Sequence, residues 1–431
     1  MQGSNIFDNK NFLLLWSGNA VSHVGLHGVR IAYPLLALIL TGSPVAASVV
    51  SFATILPSLL FEVPAGVVAD TWDRRRVLIM CQRSGLAATL LAAFIVAERP
   101  PGLPVLLAAA AFIEGAAYVF FNTSELGLVR DVVTTEERPT ALAFLEAEQP
   151  IANMIGRLIG AATLSIARTL PFLANAASYL YCLWTLSRIR ARIKGSPNIR
   201  ARNDIRVWDW NQAWAGVRSV WSEPFVRGAT VILGITNAIF QILILSMTVE
   251  IRQGGHSTWT IGVVLGATGL GGLLGAAPAA VLATRFAPRT LLTAMVWAWV
   301  VLSLPMAVDA SPAVLALCWM GMGFVAPIGN VALALHRLRA FPEDLVGRIF
   351  AATKLIGHCG TAAGSLLAGI LLSMLGVSTT GWVILLGMVV MARSARRLPE
   401  AGSAPGVPPP AAPRSTTWIA QVSRQNRIPD Q

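Results

Sequence analysis

The chain has 431 residues, 55% of them hydrophobic and only 13% charged, with a net charge of +12 and a mean hydropathy of +0.64. A soluble domain carries about 25% charged residues, so this chain lacks the groups to cover a water-facing surface and reads as an integral membrane protein. The basic balance could suggest nucleic acid, but the charge is confined to short loops between apolar runs, where it sets membrane orientation.

Taken in order, apolar runs predict spanning helices over 12–40, 45–69, 77–97, 103–129, 141–166 and 170–186. A charged stretch over 188–223 interrupts them. Six more runs follow over 225–249, 258–284, 291–308, 313–335, 349–375 and 380–392. The expected organisation is an all-α membrane protein of twelve helices in two six-helix bundles. Residues 1–187 form the first bundle, 188–224 a connector, 225–395 the second bundle and 396–431 a disordered, Pro-rich tail. Lys10, Arg74 to Arg76, Arg130, Arg138 and the connector's arginines fall on one side, together with Arg285, Arg289, Arg337 and Arg339. The other side has little beyond Arg99, Arg168 and Arg252, so both termini are expected in the cytoplasm. No apolar leader with a small-residue cleavage site stands at the start, and no removed signal peptide is expected. Within the connector, Trp210, Trp214, Val217 and Trp221 share one helical face. That face suits the membrane surface or packing against the cytoplasmic loops. Cys81, Cys182, Cys318 and Cys359 lie in apolar stretches without metal-ligand spacing and read as small buried hydrophobes.

Between the second and third runs the chain passes from Gly66 through Asp70 to Arg74, Arg75 and Arg76 before turning apolar again. So short a link makes the two runs antiparallel neighbours, and Gly66 leaves a flat face for a close helix. An internal repeat reinforces the two-bundle organisation: Val49 to Leu78 aligns without a gap on Val263 to Leu292. The Pro64-Ala65 pair recurs as Pro278-Ala279, and Arg75 as Arg289. The second copy has Thr284 in place of Asp70. Two parallel halves are expected from it.

The Gly66, Asp70, Arg74, Arg75, Arg76 pattern resembles the loop between the second and third helices of the major facilitator superfamily. The stretches beginning at Asn11, Leu40, Phe120 and Gly347 look like the branch that contains the enterobactin exporter and the macrolide efflux proteins. That resemblance implies export of a small organic molecule (a siderophore, antibiotic or other secondary metabolite) by proton antiport with alternating access. It also implies a site in the inner membrane. A small-molecule substrate, protons and membrane lipid are the expected partners, the chain acting as a monomer with no cofactor, no metal and no nucleic acid. The alternatives are uptake of an organic anion through the same cavity, or a non-transporting membrane sensor. An enzyme is not expected, since no nucleophile–base pair or metal constellation stands out. ATP-driven transport has no phosphate-binding Gly-rich loop to support it. The chain departs from the branch in having Leu26 and His27 where many members carry an acid, and Gly156-Arg157 where Gly-Pro is usual.

An ionisable group at mid-membrane costs about 2.5–3.5 kcal/mol on insertion scales and calls for a partner, a cavity or a function. The deep candidates are His23, His27, Arg30, Glu62, Glu114, Arg157, Lys354 and His358, with Glu125, Glu146 and Glu148 nearer the cytoplasmic ends. In the family the first and fourth helices face the cavity, which implies that Arg30 and Glu114 meet there. Glu114 is then the expected proton carrier, with Arg30 and Arg157 holding an anionic or strongly hydrogen-bonding substrate group, so that substrate binding changes the proton occupancy of Glu114. A static Arg30–Glu114 pair holding two helices together is the other reading. His27 suits a proton relay, imidazole titrating near neutrality. Lys354 and His358 either line the second half of the cavity or cap loop contacts. Asp70 is expected to meet the start of the eleventh helix near Gly347 when the cytoplasmic side is closed, and so to act as a gate. Arg74 to Arg76 serve that gate or anchor the loop in the cytoplasm.

Overall fold

The computed structural model describes residues 6–189, 210–308 and 311–399, and every regular element among them is helical. A 3-10 turn at Ile6–Asp8 leads into α1 (Lys10–Thr41), α2 (Pro44–Thr71), α3 (Arg74–Glu98), α4 (Leu103–Val132), α5 (Arg138–Ile166) and α6 (Leu170–Arg188). After the connector come α7 (Trp210–Ser222), α8 (Pro224–Gln253), α9 (Thr258–Arg285), α10 (Pro288–Val308), α11 (Pro312–Ala340) and α12 (Glu343–Arg396). Among the described residues nine helices are long and apolar enough to cross a membrane, which makes this a multi-pass membrane protein.

The helices outrun the apolar runs at their ends because capping, rather than hydropathy, decides where they start. The side chains of Asn9, Ser43 and Asp73 accept hydrogen bonds from the backbone N–H of Phe12, Ala46 and Arg76, at 3.1, 3.2 and 3.1 Å. Asp73 thereby starts α3 at the first arginine of the triplet, three residues before its apolar run. The expected pair of helices over 349–375 and 380–392 forms one element, α12, broken at Gly376 (φ 73°, ψ 176°). That backbone conformation is open to glycine and strained for other residues, so the chain changes direction there without leaving helix on either side.

The first half packs α1 against α4, α5 and α6, α2 against α4, and α3 against α4 and α6. The second packs α8 against α12, α9 against α11, and α10 against α11 and α12. The sequence repeat has a structural counterpart. Gly115 of α4 lies against the Thr54 carbonyl, where an added Cβ would come within 2.9 Å, and Gly323 of α11 lies against the carbonyl of Thr268, the residue matching Thr54 in the second copy. A glycine at each site lets paired backbones touch, which is how helices associate in lipid.

The halves meet along two seams, α2 with α12 and α5 with α9. On the first, Ser51 and Ser365 hydroxyls are 3.4 Å apart, and Gly369 faces Ser48 and the Pro44 carbonyl. On the second, Gly262, Gly266 and Gly269 of α9 take Ala161, Leu158 and Met154 of α5 directly against their backbone. The connector helix α7 rests on the start of α12, with Gly216 against the Arg348 carbonyl and Val220 fully buried, while Trp221 stays exposed. Val217 and Val220 of α7 therefore pack on the protein. Residues 190–209 lie outside the described residues, as does the expected tail over 396–431 except for its start, where Arg396 ends α12 and Arg397 caps it.

Candidate functional site

A cavity of about 440 Å³ lies between the halves, within the range of small-molecule sites. The sequence-predicted residues His27 and Arg30 of α1, Arg157 of α5, and Lys354 and His358 of α12 all line it. Tyr118 and Asn122 of α4, Asn153 of α5 and Gln241 of α8 join them, none of which the sequence reading singled out. Lys354 and His358, left open between cavity and loop, belong to the cavity because their spacing puts both on one face of α12.

The Arg30 guanidinium carbon stands 4.3 Å from the centre of the Tyr118 ring, a cation–π contact of about 0.5–2 kcal/mol. Among the described residues neither Arg30 nor Arg157 has a carboxylate within 4.0 Å or a hydrogen bond to protein. Both guanidinium groups thus line the cavity without an anionic partner among the described residues.

Glu62 of α2 reaches across the seam to Lys354 Nζ, and its other oxygen lies 3.4 Å from His358 Nδ1. This pairing joins the two halves at the cavity wall. Both groups are partly exposed, so the link contributes about 0–1 kcal/mol and breaks readily. Glu62→Gln is expected to leave the melting temperature nearly unchanged and to raise the population with α2 and α12 apart by about two- to fivefold, a shift worth up to ~1 kcal/mol. Distances between spin labels on the two helices check it.

Glu114 corrects the expectation of a meeting with Arg30 in the cavity. It is 1% exposed, is absent from the cavity wall and faces the interior of the first bundle. There Oε1 accepts hydrogen bonds from Asn175 Nδ2 at 2.5 Å and Tyr179 OH at 2.7 Å, both on α6. The apolar composition of α4 all round hides which of its faces turns to α6. Toward the start of α1 lies a buried polar group the sequence reading had not assembled: His23 with Glu148, Glu125, Asn19 and Gln149.

At the end of the molecule where α1 begins, Arg74 pairs with Asp131 at 2.9 Å and reaches the Gly127 carbonyl near the end of α4. Arg75 donates to the Leu186 and Ser187 carbonyls at the end of α6. Arg76 is exposed, 3.7 Å from Asp73. Asp70 is exposed, and no hydrogen bond or ion pair joins it to a described residue. A Cβ on Gly66 or on Gly347 would meet nothing within 4 Å, so the expected close approaches at both glycines are absent in this conformation. Two of the three arginines thus close helix ends, while the acid stands free.

Two helical halves with matching internal packing around a shared polar cavity define a transporter of the major facilitator type. Residues 4–415 match the transmembrane secretion effector family, and the chain belongs to that family. It is 26% identical over 385 residues to the multidrug efflux pump Tap of Mycolicibacterium fortuitum, covering 86% of this chain and 91% of the relative. To Tap of Mycobacterium tuberculosis (strain ATCC 25618 / H37Rv) it is 25% identical over 382 residues, covering 86% and 88%. Among solved structures it resembles the nucleoside transporter NupG, with a TM-score of 0.68 and 14% identity over 89% of this chain and 98% of that one. A bacterial homologue of the iron transporter ferroportin in an inward-facing state matches with a TM-score of 0.67 and 16% identity, over 91% and 100%. These two likenesses concern the fold. As a member of this family the chain is a transporter and not an enzyme.

Proposed function

We propose that this protein exports small organic molecules bearing an anionic group from the cytoplasm, exchanging them for protons by alternating access. The observation that carries the reading is the pair of guanidinium groups, Arg30 and Arg157, lining one cavity without a carboxylate partner among the described residues. A cation held in a membrane calls for a counter-charge, and the substrate supplies it. Lys354 and His358 add basic groups from the other half, and the relatives' name supports efflux as the direction.

Twelve spans follow if α5, α6 and the part of α12 beyond Gly376 join the nine apolar helices. The 19 residues of α6 extend about 28 Å at 1.5 Å per residue, close to the ~30 Å of a bilayer core. Arginine-rich loops at the end where α1 begins are read as the cytoplasmic face of an inner-membrane protein. The free Asp70 and the seam contacts concentrated toward the opposite end favour an inward-facing conformation. In this reading Asp70 engages the start of α12 when the cytoplasmic side closes. His27, on the cavity wall, and Glu114, behind it, are the groups proposed for proton transfer.

Proteoliposomes holding the full chain and a pH gradient test the proposal, with anilinonaphthalene sulfonate as anionic probe and ethidium as cationic probe. Gradient-driven movement of the sulfonate, lost on collapsing the gradient and in Glu114→Gln, is the expected result. Movement of ethidium alone removes the anion assignment. Inward transport of the anion turns the direction round, and gradient-driven export unaffected in Glu114→Gln takes that carboxyl out of the proton path.

A further inference from the structure

Behind the cavity lies a cluster of buried titratable groups that the substrate site does not use. His23 of α1 is 1% exposed, Glu125 of α4 4% and Glu148 of α5 5%. His23 Nδ1 lies 2.7 Å from Glu148 Oε1, and His23 Nε2 4.0 Å from Glu125 Oε2. Asn19 donates to Glu125 Oε1 at 2.7 Å, and is itself approached by the Cys182 thiol at 3.6 Å. Two atoms inside the cluster, His23 Nε2 and Glu148 Oε2, are buried without a hydrogen-bond partner.

Atom by atom, this arrangement calls for protons. Nδ1 and Oε1 at 2.7 Å cannot both present lone pairs, so one proton lies between them. With the imidazole neutral and both carboxylates ionised the cluster carries two negative charges. A second imidazole proton, on Nε2 facing Glu125, brings it to one, and a protonated carboxyl brings it to zero. Burial penalises uncompensated charge heavily, so these steps are the available means of neutralising the cluster. Among the described residues no cation other than His23 lies within 4.0 Å of either carboxylate, although Arg30 is near enough for its charge to act on His23. On α1, His27 and Arg30 are one and two turns further along the same face, and Arg30 is engaged with Tyr118. On α5, Arg157 lies more than two turns away, and on α4 Glu114 lies three turns away. The neighbouring faces of α3 and α6 bring Cys81, Gln82, Tyr179 and Cys182, none of them a cation, with Gln82 bonded to Ser22.

A row of polar side chains leads from the cluster to the cavity, although Glu148 already takes the single bonding position of His23 Nδ1, so Gln149 stands beside that pair and is not bonded into it. Gln149 Nε2 lies 3.2 Å from His23 Nδ1 and donates to Asn122 Oδ1 at 3.3 Å, and Asn122 lines the cavity. Tyr118, another lining residue, approaches Gln149 Oε1 at 3.5 Å.

We propose that His23, Glu125 and Glu148 form a proton-binding site in the first bundle, filled from the cavity past Asn122 and Gln149. The proton enters from cavity water, raises the charge of the cluster by one and leaves as a proton; no other bond is made or broken. Linking this site to transport rests on the antiport reading above, whereas proton binding itself does not.

Infrared difference spectra of the full chain in lipid nanodiscs, between mildly acid and mildly alkaline buffer, read the site without substrate. The wild type is expected to show a buried protonated-carboxyl band, shifted by heavy water. Glu148→Gln and Glu125→Gln each remove or displace part of it, Glu148→Asp restores it, and Glu146→Gln, an exposed neighbour on α5, leaves it intact. In proteoliposomes the same two Gln variants flatten the pH profile of probe export. A wild type with no such band overturns the proposal, even if every variant fails to fold. So does a band indifferent to both Gln substitutions in folded protein. Antiport that persists without the band leaves the function standing and removes this site. A band with the expected variant pattern, in a protein whose transport ignores the pH gradient, keeps the site and removes antiport.

Discussion

A Gly160→Leu chain is expected to leave no folded protein in a detergent extract, with the peak on a fluorescence-monitored sizing column falling at least tenfold. Gly160 of α5 and Gly28 of α1 meet backbone to backbone. A Cβ added at Gly160 would meet the Gly28 Cα at 2.6 Å and its carbonyl carbon at 2.7 Å. One turn earlier, a Cβ on Gly156 would lie 2.7 Å from the Cβ of His27 and press on the Val24 carbonyl. These obstacles are mostly main chain, so no rotamer change relieves them, and α1 would have to leave α5. Overpacking costs about 1–3 kcal/mol where side chains can move, and more where they cannot. Within lipid little else holds two helices together, since the surrounding acyl chains are as apolar as the leucines they would replace. Gly387→Leu, on the outer part of α12 where nothing lies within 4 Å of the new Cβ, is the matched control and is expected to accumulate normally.

Arg157→Gln is expected to abolish export of the anionic probe while leaving the fold intact. A hydrogen bond to a charged group contributes about 1.5–3 kcal/mol, which at 1.4 kcal/mol per tenfold is roughly a 10- to 150-fold loss in kcat/KM. Arg157 has no ion pair or hydrogen bond to a described residue, so its removal deprives the protein of no internal contact of that kind and relieves a charge without a partner. The melting temperature is therefore expected to hold or rise. An arginine whose task is to bind two helices together would lower it. Arg157→Lys should recover only part of the rate, because a single ammonium cannot reproduce the planar two-pronged contact with a carboxylate or sulfonate.

How far these residues were legible in the sequence depended on the range of the interaction. The helices and the likeness of the halves were readable because hydropathy and the Pro64-Ala65 repeat are local signals. Helix ends shifted where a cap such as Asp73 extended a helix past its apolar run. Charge in an apolar setting singled out His27, Arg30 and Arg157, while the expectation of a cavity came from the family resemblance. What sequence did not reveal were partners on other helices. Glu62 finds Lys354 across the seam between the halves, and Glu114 turns to Asn175 and Tyr179 because α4, apolar on all sides, offers no period to show its inward face. His23 and Glu148 come together for the same reason, from helices far apart in the chain.

The α5–α9 seam behaves as a bearing rather than a gear. With Gly262, Gly266 and Gly269 presenting bare backbone to Ala161, Leu158 and Met154, the α9 surface has no knobs there to lift out of holes when one half turns over the other. The polar link on the other seam, between Glu62 and Lys354, is one directional contact that turning would have to break. The two seams are thus built differently, one from bare backbone under small and flexible side chains and the other with a partly exposed ion pair that can be altered without recutting the joint.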